Sequence, residues 1–314
     1  MRQKNFTASA HEYQKCMSLQ SFKFIINPSA GHGNCKKIIR AIDKSLSHLD
    51  LQYDIKILQY KGQAFFIARE ASNAFDAVVA VGGDGTVNEV FNGIVGTEAV
   101  LGIIPAGTGN GFARAIGLPL RVNKACKVLI EGDVKSIDIG KMDDRYFLGT
   151  AGIGFDALIS RFAGKKLGPV RGMWIYFIAG ALVFRRYKAQ SIGLEIDSRK
   201  VEVRPLIIAV ANTTRYGGRA LIAPDARPDD GLFDICVIQQ MGALKLLWHL
   251  PKLFKGKHIK LSNVAVYRGK NVTITASKPM PVHVDGEAID SCSSMKFTLL
   301  PNILKMLVPK DCEF

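Results

Sequence analysis

Three glycine-rich loops within the first 110 residues constrain this chain more than any other feature of its sequence. They read Asn-Pro-Ser-Ala-Gly-His-Gly (27–33), Gly-Gly-Asp-Gly-Thr-Val-Asn-Glu (82–89) and Pro-Ala-Gly-Thr-Gly-Asn (105–110). Each loop follows a short apolar run typical of a buried strand, and a helical pattern comes after it. In a parallel sheet, such loops meet at the carboxyl ends of the strands, where ligands bind. The pattern therefore predicts an α/β domain with one ligand crevice.

These loops also predict that the ligand carries phosphate. Glycine lets backbone N–H groups approach phosphate oxygens closely, and a helix that begins after the loop adds the positive end of its dipole. The spacing fits neither the P-loop nor the dinucleotide-binding fingerprint, so we expect another type of phosphate cradle. Asp84 lies between glycines, and the hydroxyl of Thr86 is expected to cap the following helix or to contact a phosphate. A plain Asp-Gly turn with a threonine cap is the alternative.

The second half of the chain has a different pattern. From about residue 136, short strand-like runs separated by turn residues dominate, which predicts a mainly antiparallel β-sandwich or barrel. The chain is long enough for two domains. We expect a flexible tail at 1–20, an α/β nucleotide-binding domain with a parallel sheet at 21–135, and a β-sandwich substrate domain at 136–300. A C-terminal segment at 301–314 is expected to pack back on the first domain.

The net charge of +15 is concentrated in the second half. Two stretches without any acidic residue, 157–194 and 235–284, contain seven and eight basic residues, which together equal the whole net charge. Such an excess predicts an anionic partner: nucleic acid, a membrane surface or a phosphorylated substrate. Nucleic acid is not expected, because the chain has no recognised binding motif and no clustered aromatic platform.

An apolar run of 13 residues, Gly172–Phe184, lies between Arg171 and the basic group Arg185, Arg186 and Lys188. It is shorter than the roughly 20 residues that a membrane-spanning helix needs. The run is therefore either a core helix or a segment that lies on lipid. We expect the basic flanks to give reversible, peripheral contact with an anionic membrane. The six scattered cysteines lack metal-binding spacing, which predicts reduced thiols and a cytoplasmic location.

Two acidic elements in the second half suggest phosphoryl-transfer chemistry. Transfer to a hydroxyl needs positioned phosphates, Mg²⁺ to neutralise charge, and a carboxylate near the hydroxyl proton. In Asp285-Gly286-Glu287, both carboxylates would face one side if the backbone stayed extended, and either one is a candidate base. A simple hairpin turn is the alternative. For Asp229-Asp230-Gly231, metal binding competes with a tight turn between strands.

In order along the chain, the runs INPSAG, VGGDGTVNEV and PAGTGNGFAR resemble the catalytic domain of the diacylglycerol kinase family of lipid kinases. That family also includes sphingosine and ceramide kinases. The resemblance continues through SIDIG, AGIGF, APDARPDDGL and VDGE, and so covers roughly residues 22–300. The GGDG element alone is shared with NAD kinases and phosphofructokinases, but the full set of motifs is specific to the lipid kinases.

The resemblance implies a two-domain kinase that uses ATP and Mg²⁺, and it assigns roles to individual residues. The catalytic motif of the family falls on Asp285 and Glu287, with Asp84 beside the nucleotide. A structural Mg²⁺ site is implied at Asp230 with the carbonyls of Arg227 and Leu232, and Asp138 is implied to be linked to Thr108. Nucleotide-binding positions fall on Asn27, Pro28, Ser29, Gly31, Gly82, Gly83, Asp84, Gly85, Thr86, Asn88, Glu89, Gly107 and Thr108.

We therefore expect a lipid kinase that transfers the γ-phosphate of ATP to a lipid alcohol, with diacylglycerol as the leading substrate and phosphatidic acid as the product. A sphingoid-base or ceramide kinase is the first alternative. An NAD kinase is a further alternative, although the chain lacks the TPTGSTAY-type segment of those enzymes. A non-catalytic nucleotide- or lipid-binding regulator is the last alternative, and the intact acids at 84, 285 and 287 argue against it. A homodimer is compatible with the sequence.

Overall fold

The computed structural model describes residues 19–164, 184, 187–216 and 220–314. Residues 1–18 of the predicted tail lie outside this part of the chain. So do residues 172–183 of the predicted membrane-contacting segment, with Arg171, Arg185 and Arg186.

The first part of the chain is an α/β domain. Its strands pair in parallel in the order β2–β1–β3–β4. Apolar side chains cover both faces of this sheet, so every residue of β3 and β4 is buried. The domain confirms the predicted parallel α/β fold. Its elements are β1 (Ser21–Ile26), α1 (Ala30–Gly33), α2 (Cys35–Leu46), β2 (Gln52–Ile57), α3 (Gln63–Ala71), β3 (Ala77–Gly82), α4 (Asp84–Ile94), β4 (Val100–Pro105), α5 (Gly111–Ala115) and α6 (Val122–Glu131).

The second part is mainly antiparallel, as predicted. Its strands follow the order β14–β13–β10–β7–β15–β16, while β8 and β9 extend from β15, and β5 and β6 from β16. The elements are β5 (Asp133–Met142), β6 (Arg145–Phe147), β7 (Thr150–Gly154), α7 (Phe155–Gly164), β8 (Ile192–Ile196), β9 (Arg199–Val203), β10 (Pro205–Ala211), β11 (Arg215–Tyr216), β12 (Ala220–Leu221), β13 (Phe233–Gln239), α8 (Ala243–Phe254), a 3₁₀ turn (Lys257–Lys260), β14 (Val264–Gly269), β15 (Asn271–Val284) and β16 (Glu287–Val308).

The 22-residue strand β16 joins the two parts. Its first half pairs with β15, its second half pairs with β5, and Met306 meets Leu101 of β4 in parallel. Leu304 and Met306 are buried in the core of the first part. The pairing with β5 shifts register between Leu300 and Leu304, where Pro301 has no N–H to donate. The predicted boundaries at 135/136 and 300/301 fall inside β5 and β16.

None of the helices in the described ranges is long and apolar enough to cross a membrane.

The packing of α3 against α4 leaves no room for a side chain at Gly93. A Cβ at this position would lie 2.5 Å from the Phe65 carbonyl oxygen and 2.7 Å from the Ala68 Cβ. We expect Gly93→Ala to lower the free energy of unfolding by about 1–3 kcal/mol, because backbone must move. Urea denaturation measures this loss. Gly85→Ala on the same helix is the control, because its Cβ would meet no atom within 4 Å. Equal stability of the two variants would contradict the packing argument.

Candidate active site

Backbone hydrogen bonds hold the three glycine-rich loops together at the carboxyl ends of β1, β3 and β4. The N–H of Gly31 donates to the carbonyl of Ala106 at 2.9 Å, and the N–H of Ala106 donates to the carbonyl of Gly82 at 2.8 Å. The N–H of Asn27 donates to the carbonyl of Val81 at 3.0 Å. The first, second and third loops therefore form one continuous structure, as their positions on a parallel sheet predict.

The second and third loops touch backbone to backbone. A Cβ on Gly107 would overlap the Cα of Gly83, and a Cβ on Gly83 would lie 3.2 Å from the Cα of Gly107. Glycine is needed at both positions because any side chain would push these loops apart. Asn110 completes the third loop with φ +53°, accepting from the Gly107 N–H and donating to the Gly107 carbonyl.

Helix α4 begins at these loops without a side-chain cap. Its N-cap residue is Gly83, which has no side chain to accept from the first turn. Thr86 was expected to cap this helix or to contact a phosphate. Gly83 takes the N-cap position instead. The Thr86 Oγ1 accepts from Asn27 Nδ2 at 3.1 Å, and its phosphate contact stays a prediction. The uncapped helix start, with its positive dipole end, suits a phosphate group.

Asp84 is the first residue of α4 and lies between the second and third loops. Its Oδ1 accepts from the Phe112 N–H at 3.1 Å. A Cβ on Gly109 would lie 3.1 Å from its Oδ2. The carboxylate is thus fixed beside the uncapped helix start. Carboxylate oxygen is the ligand type that Mg²⁺ prefers, so Asp84 fits the ion that the family resemblance implies.

Asn88 and Glu89 bind other parts of the protein. Asn88 Nδ2 donates to Asp285 Oδ2 at 2.9 Å. Both carboxylate oxygens of Glu89 accept from the N–H of Gly62, at 3.0 Å each, and so hold the loop before α3. The predicted nucleotide contacts of both residues stay predictions. Among the other predicted nucleotide positions, Pro28, Ser29, Gly85 and Thr108 are exposed on the three loops.

The acidic motif is a two-residue hairpin between β15 and β16. Val284 pairs with Glu287, and the two residues of the turn, Asp285 and Gly286, have φ values of +48° and +84°. Positive φ at both central positions defines a type I′ turn, which matches the twist of a hairpin. The backbone is therefore not extended here. An extended backbone was the condition for both carboxylates to face one side, and it does not hold. Asp285 and Glu287 therefore have different surroundings.

The Asp285 carboxylate accepts four hydrogen bonds. Oδ1 accepts from the N–H groups of Gly149 (2.9 Å) and Thr150 (3.1 Å), and Oδ2 accepts from the Leu148 N–H (2.9 Å) and Asn88 Nδ2. Burial raises the pKa of Asp285, although all four donors oppose that shift. Through Asn88, this carboxylate ties the hairpin of the second domain to helix α4 of the first.

Glu287 is the exposed member of the acidic pair. Its side chain is 61% exposed and forms an ion pair with Lys61 at 2.7 Å. The hydrogen bond and charge of Glu287 raise the pKa of Lys61. Lys61 belongs to the loop before α3, so this ion pair is a second link between the two domains. No sequence pattern indicates that Lys61 or Gly62 belongs to the site.

The Asp229-Asp230-Gly231 element is a turn tied to β5 and β16. The Asp230 carboxylate pairs with the Arg268 guanidinium and accepts from the Leu232 N–H at 3.1 Å. Asp138 accepts from the N–H groups of Gly231 (2.7 Å) and Asn302 (2.9 Å).

This arrangement bears on two expectations. The expected link between Asp138 and Thr108 stays a prediction, because each Asp138 oxygen accepts one backbone N–H from elsewhere and keeps a free acceptor position. A Mg²⁺ ion at Asp230, with the carbonyls of Arg227 and Leu232, would share its carboxylate with Arg268, and this ion stays a prediction. The described residues contain no cluster of three or more His, Cys, Asp or Glu side chains suited to a metal.

A buried polar cluster lies behind the hairpin and has no signature in the sequence. The Gly286 N–H donates to His283 Nδ1 at 3.3 Å, which leaves Nε2–H to donate to Asp156 Oδ2 at 3.3 Å. The Tyr216 hydroxyl donates to the same Asp156 oxygen. Burial raises the pKa of Asp156 to about 7 and lowers that of His283 to about 3. A Cβ on Gly152 would collide with this cluster.

A phosphate cradle on a parallel sheet, closed by an acidic hairpin from a β-sandwich, defines a two-domain kinase. Residues 21–142 match the family model for the diacylglycerol kinase catalytic domain. Residues 149–308 match the model for the YegS C-terminal NAD kinase beta sandwich-like domain. Together the two matches cover most of the chain, in the order that the sequence motifs predict.

Whole proteins show the same relationship. A diacylglycerol kinase of Mycobacterium tuberculosis is 32% identical over 298 residues, which cover 91% of this chain and 94% of that protein. One from Staphylococcus carnosus is 30% identical over 294 residues, covering 93% and 96%. The crystal structure of a diacylglycerol kinase from Bacillus anthracis shares the fold, with a TM-score of 0.75 at 22% identity over 94% of this chain and 99% of that one. The chain belongs to the diacylglycerol kinase family and is a lipid kinase, which confirms the resemblance.

The buried Asp156 predicts a pH-dependent stability. Its pKa of about 7 in the folded protein lies above the unfolded value, so the folded state holds a proton between about pH 4 and 7 that the unfolded state has lost. The contribution of Asp156 to the free energy of unfolding therefore falls as pH rises from about 4 to 7. We expect the free energy of unfolding of Asp156→Asn, relative to wild type, to increase by up to about 1.4 kcal/mol per pH unit.

Urea denaturation at several pH values measures this difference. His283 has a lowered pKa, so its contribution is lost as pH falls below about 6.5. Burial of the imidazole lowers its pKa in both proteins, so this loss occurs in the variant as well. A difference that stays constant between pH 5 and 8 would contradict the buried, protonated Asp156.

Proposed function

We propose that this lipid kinase transfers the γ-phosphate of ATP to the free hydroxyl of diacylglycerol, forming phosphatidic acid and ADP with the help of Mg²⁺. The hydrogen bond between Asn88 and Asp285 carries the proposal, because it joins the phosphate cradle to the acidic hairpin. The relatives at about 30% identity are named diacylglycerol kinases, which favours this substrate class over other lipid alcohols.

ATP as phosphate donor is supported by the uncapped start of α4 and the loops around it. Glycines at 83 and 107 bring the two loops into contact, and the first-turn N–H groups of α4 receive no side-chain cap. Such groups stabilise phosphate oxygens without any side chain. Asp84 would hold Mg²⁺ beside them, and the bound ion supplies charge neutralisation to the phosphates.

In the transfer, the lipid hydroxyl oxygen forms a bond to the γ-phosphorus, and the bond from that phosphorus to the ADP oxygen breaks. The hydroxyl proton passes to a carboxylate. A carboxylate offers about four acceptor positions, and N–H donors fill all four on Asp285. Glu287 has one ion-pair partner and an exposed side chain. We therefore assign the proton to Glu287, while Asp285 positions the hairpin.

Sphingoid bases and ceramide carry the same type of hydroxyl and remain the alternative substrates. The purified protein is incubated with radiolabelled ATP and mixed micelles of diacylglycerol, sphingosine or ceramide, and separately with NAD. We expect labelled phosphatidic acid to form fastest and to require Mg²⁺, with EDTA as the control. Preferred labelling of sphingosine, ceramide or NAD would overturn the substrate assignment, and full activity in EDTA would overturn the Mg²⁺ requirement.

The fixed position of Asp84 predicts a large loss of activity when it is removed. We expect Asp84→Ala to lower kcat by at least about 10²-fold, because the developing phosphate charge loses its ion-holding carboxylate. Asp144→Ala is the matched control, since the side chain of Asp144 is fully exposed. Turnover of the Asp84 variant within about threefold of wild type would show that the carboxylate has no role in transfer.

The two members of the acidic hairpin should respond differently to amide substitution. Glu287→Gln should lower kcat by about 10²–10⁴-fold, because it removes the proton acceptor. The melting temperature should change little, because the lost ion pair with Lys61 is exposed. Asp285→Asn should also lower the melting temperature, because an amide group would face N–H donors. Kinetics and thermal melts of both variants test the assignment. If Glu287→Gln turns over normally while Asp285→Asn is inactive but equally stable, the two roles are reversed.

A further inference from the structure

Helix α8 (Ala243–Phe254) carries an exposed apolar face. Leu244, Leu247 and Trp248 are 85%, 61% and 78% exposed, and no residue of the helix is fully buried. The spacing i, i+3, i+4 places these three side chains on one side of the helix, which we call the docking face. Water contact with three large apolar side chains on one helix is unfavourable, so such a patch marks an interaction site.

The opposite side of α8 attaches the helix to the domain. Leu253 packs against a buried cluster that includes Ile222 and Ala223, and the helix contacts β12 and the 3₁₀ turn that follows it. The docking face therefore plays no part in holding the helix in place. Substitutions on this face test binding without removing core contacts.

Lysines lie on α8 and directly after it. Lys245, Lys255 and Lys257 are exposed, Lys252 is partly exposed, and the sequence from 235 to 284 contains no acidic residue. Burial lowers the pKa of His249, and the charges of Lys252 and Lys245 lower it further, so these two lysines lie close to the helix centre. A partner for this surface must combine an apolar layer with negative charge.

An anionic lipid bilayer has both properties at one surface. Leucine and tryptophan side chains insert at the boundary between headgroups and acyl chains, and lysines contact the anionic headgroups. Twelve residues give a helix about 18 Å long, which suits a position in the plane of the membrane. We infer that α8 docks this protein on anionic membranes through the docking face and its lysines.

A cavity of about 410 Å³ lies next to the start of this helix. Its lining includes Phe184, Leu206, Met241 and Gly242, and Gly242 is the N-cap of α8. Docking through α8 brings this cavity close to the bilayer that contains diacylglycerol. Only the role of docking, access to diacylglycerol, rests on the proposed function. Membrane binding itself can be measured without ATP or catalysis.

Vesicle sedimentation of the full chain tests the inference. The probe is phosphatidylcholine vesicles with and without phosphatidylglycerol. Wild type should bind the anionic vesicles and be released by salt. Trp248→Ala should weaken binding about tenfold or more, because a large apolar side chain no longer inserts. Phe66→Ala is the matched control, since Phe66 is an aromatic residue 68% exposed on α3.

The lysines are tested by a triple substitution. Each lysine held at an anionic surface contributes about fivefold to the partition constant, so Lys245→Gln, Lys255→Gln and Lys257→Gln together should weaken binding about 100-fold. Lys124→Gln with Lys127→Gln on α6 is the control, because both lysines are exposed on the first domain. Equal losses in the control and the α8 variants would overturn the assignment to this helix.

Tryptophan fluorescence locates the contact. The chain has two tryptophans, so Trp174→Phe leaves Trp248 as the single emitter. Anionic vesicles should shift its emission to the blue, and lipids brominated near the headgroup should quench it more strongly than lipids brominated at the chain end. An unchanged spectrum on vesicles that bind the protein would overturn the inference.

Two further outcomes separate membrane docking from self-association and from the substrate proposal. If Trp248→Ala disrupts a dimer in sedimentation velocity while vesicle binding is unchanged, the docking face binds a second copy and the inference is wrong. Suppose instead that wild type binds vesicles and phosphorylates none of the lipids tested, while Trp248→Ala does not bind. In that case the substrate proposal fails and the docking inference stands. If Trp248→Ala loses activity on long-chain diacylglycerol in vesicles but keeps full activity on soluble dioctanoylglycerol, the result supports both the substrate proposal and the docking inference.

Discussion

The Asp285 carboxylate organises the junction between the two halves of this kinase. Even a partly buried carboxylate is costly unless hydrogen bonds compensate for lost water, and here four N–H donors do so. Three come from the backbone at 148–150 and one from Asn88 of α4. Because the three backbone donors belong to the second domain and the fourth to the first, this one carboxylate links the hairpin to both domains.

The glycine-rich loops could be predicted from sequence because their chemistry is local. Glycine spacing, strand patterns and helix starts together indicated a parallel sheet with a phosphate cradle, and the structure confirms the fold. The alternation of strand and turn residues likewise predicted the antiparallel second domain. Asp84 also lies where the pattern placed it, beside the start of α4. These features depend on neighbouring residues in the chain, which a sequence displays directly.

The bonds across the fold could not be predicted in this way. The Thr86 hydroxyl binds Asn27 of the first glycine-rich loop, a partner that no local pattern indicates. Asp138 is held by backbone N–H groups at 231 and 302, more than 90 residues away along the chain. In the strand at 150–154, the small Gly152 leaves the room in which Asp156, His283 and Tyr216 meet. Partners distant in sequence leave no local pattern.

The long strand β16 has a consequence for how the chain is made. Its last residues fill the core of the first part and cover the open edge of β4. The other strands of that sheet end some 200 residues earlier in the chain. A nascent first half leaving the ribosome therefore has an unpaired, apolar sheet edge until the residues around Met306 have been synthesised. The two halves are not separable modules, and during synthesis the first half must avoid aggregation until its last strand arrives.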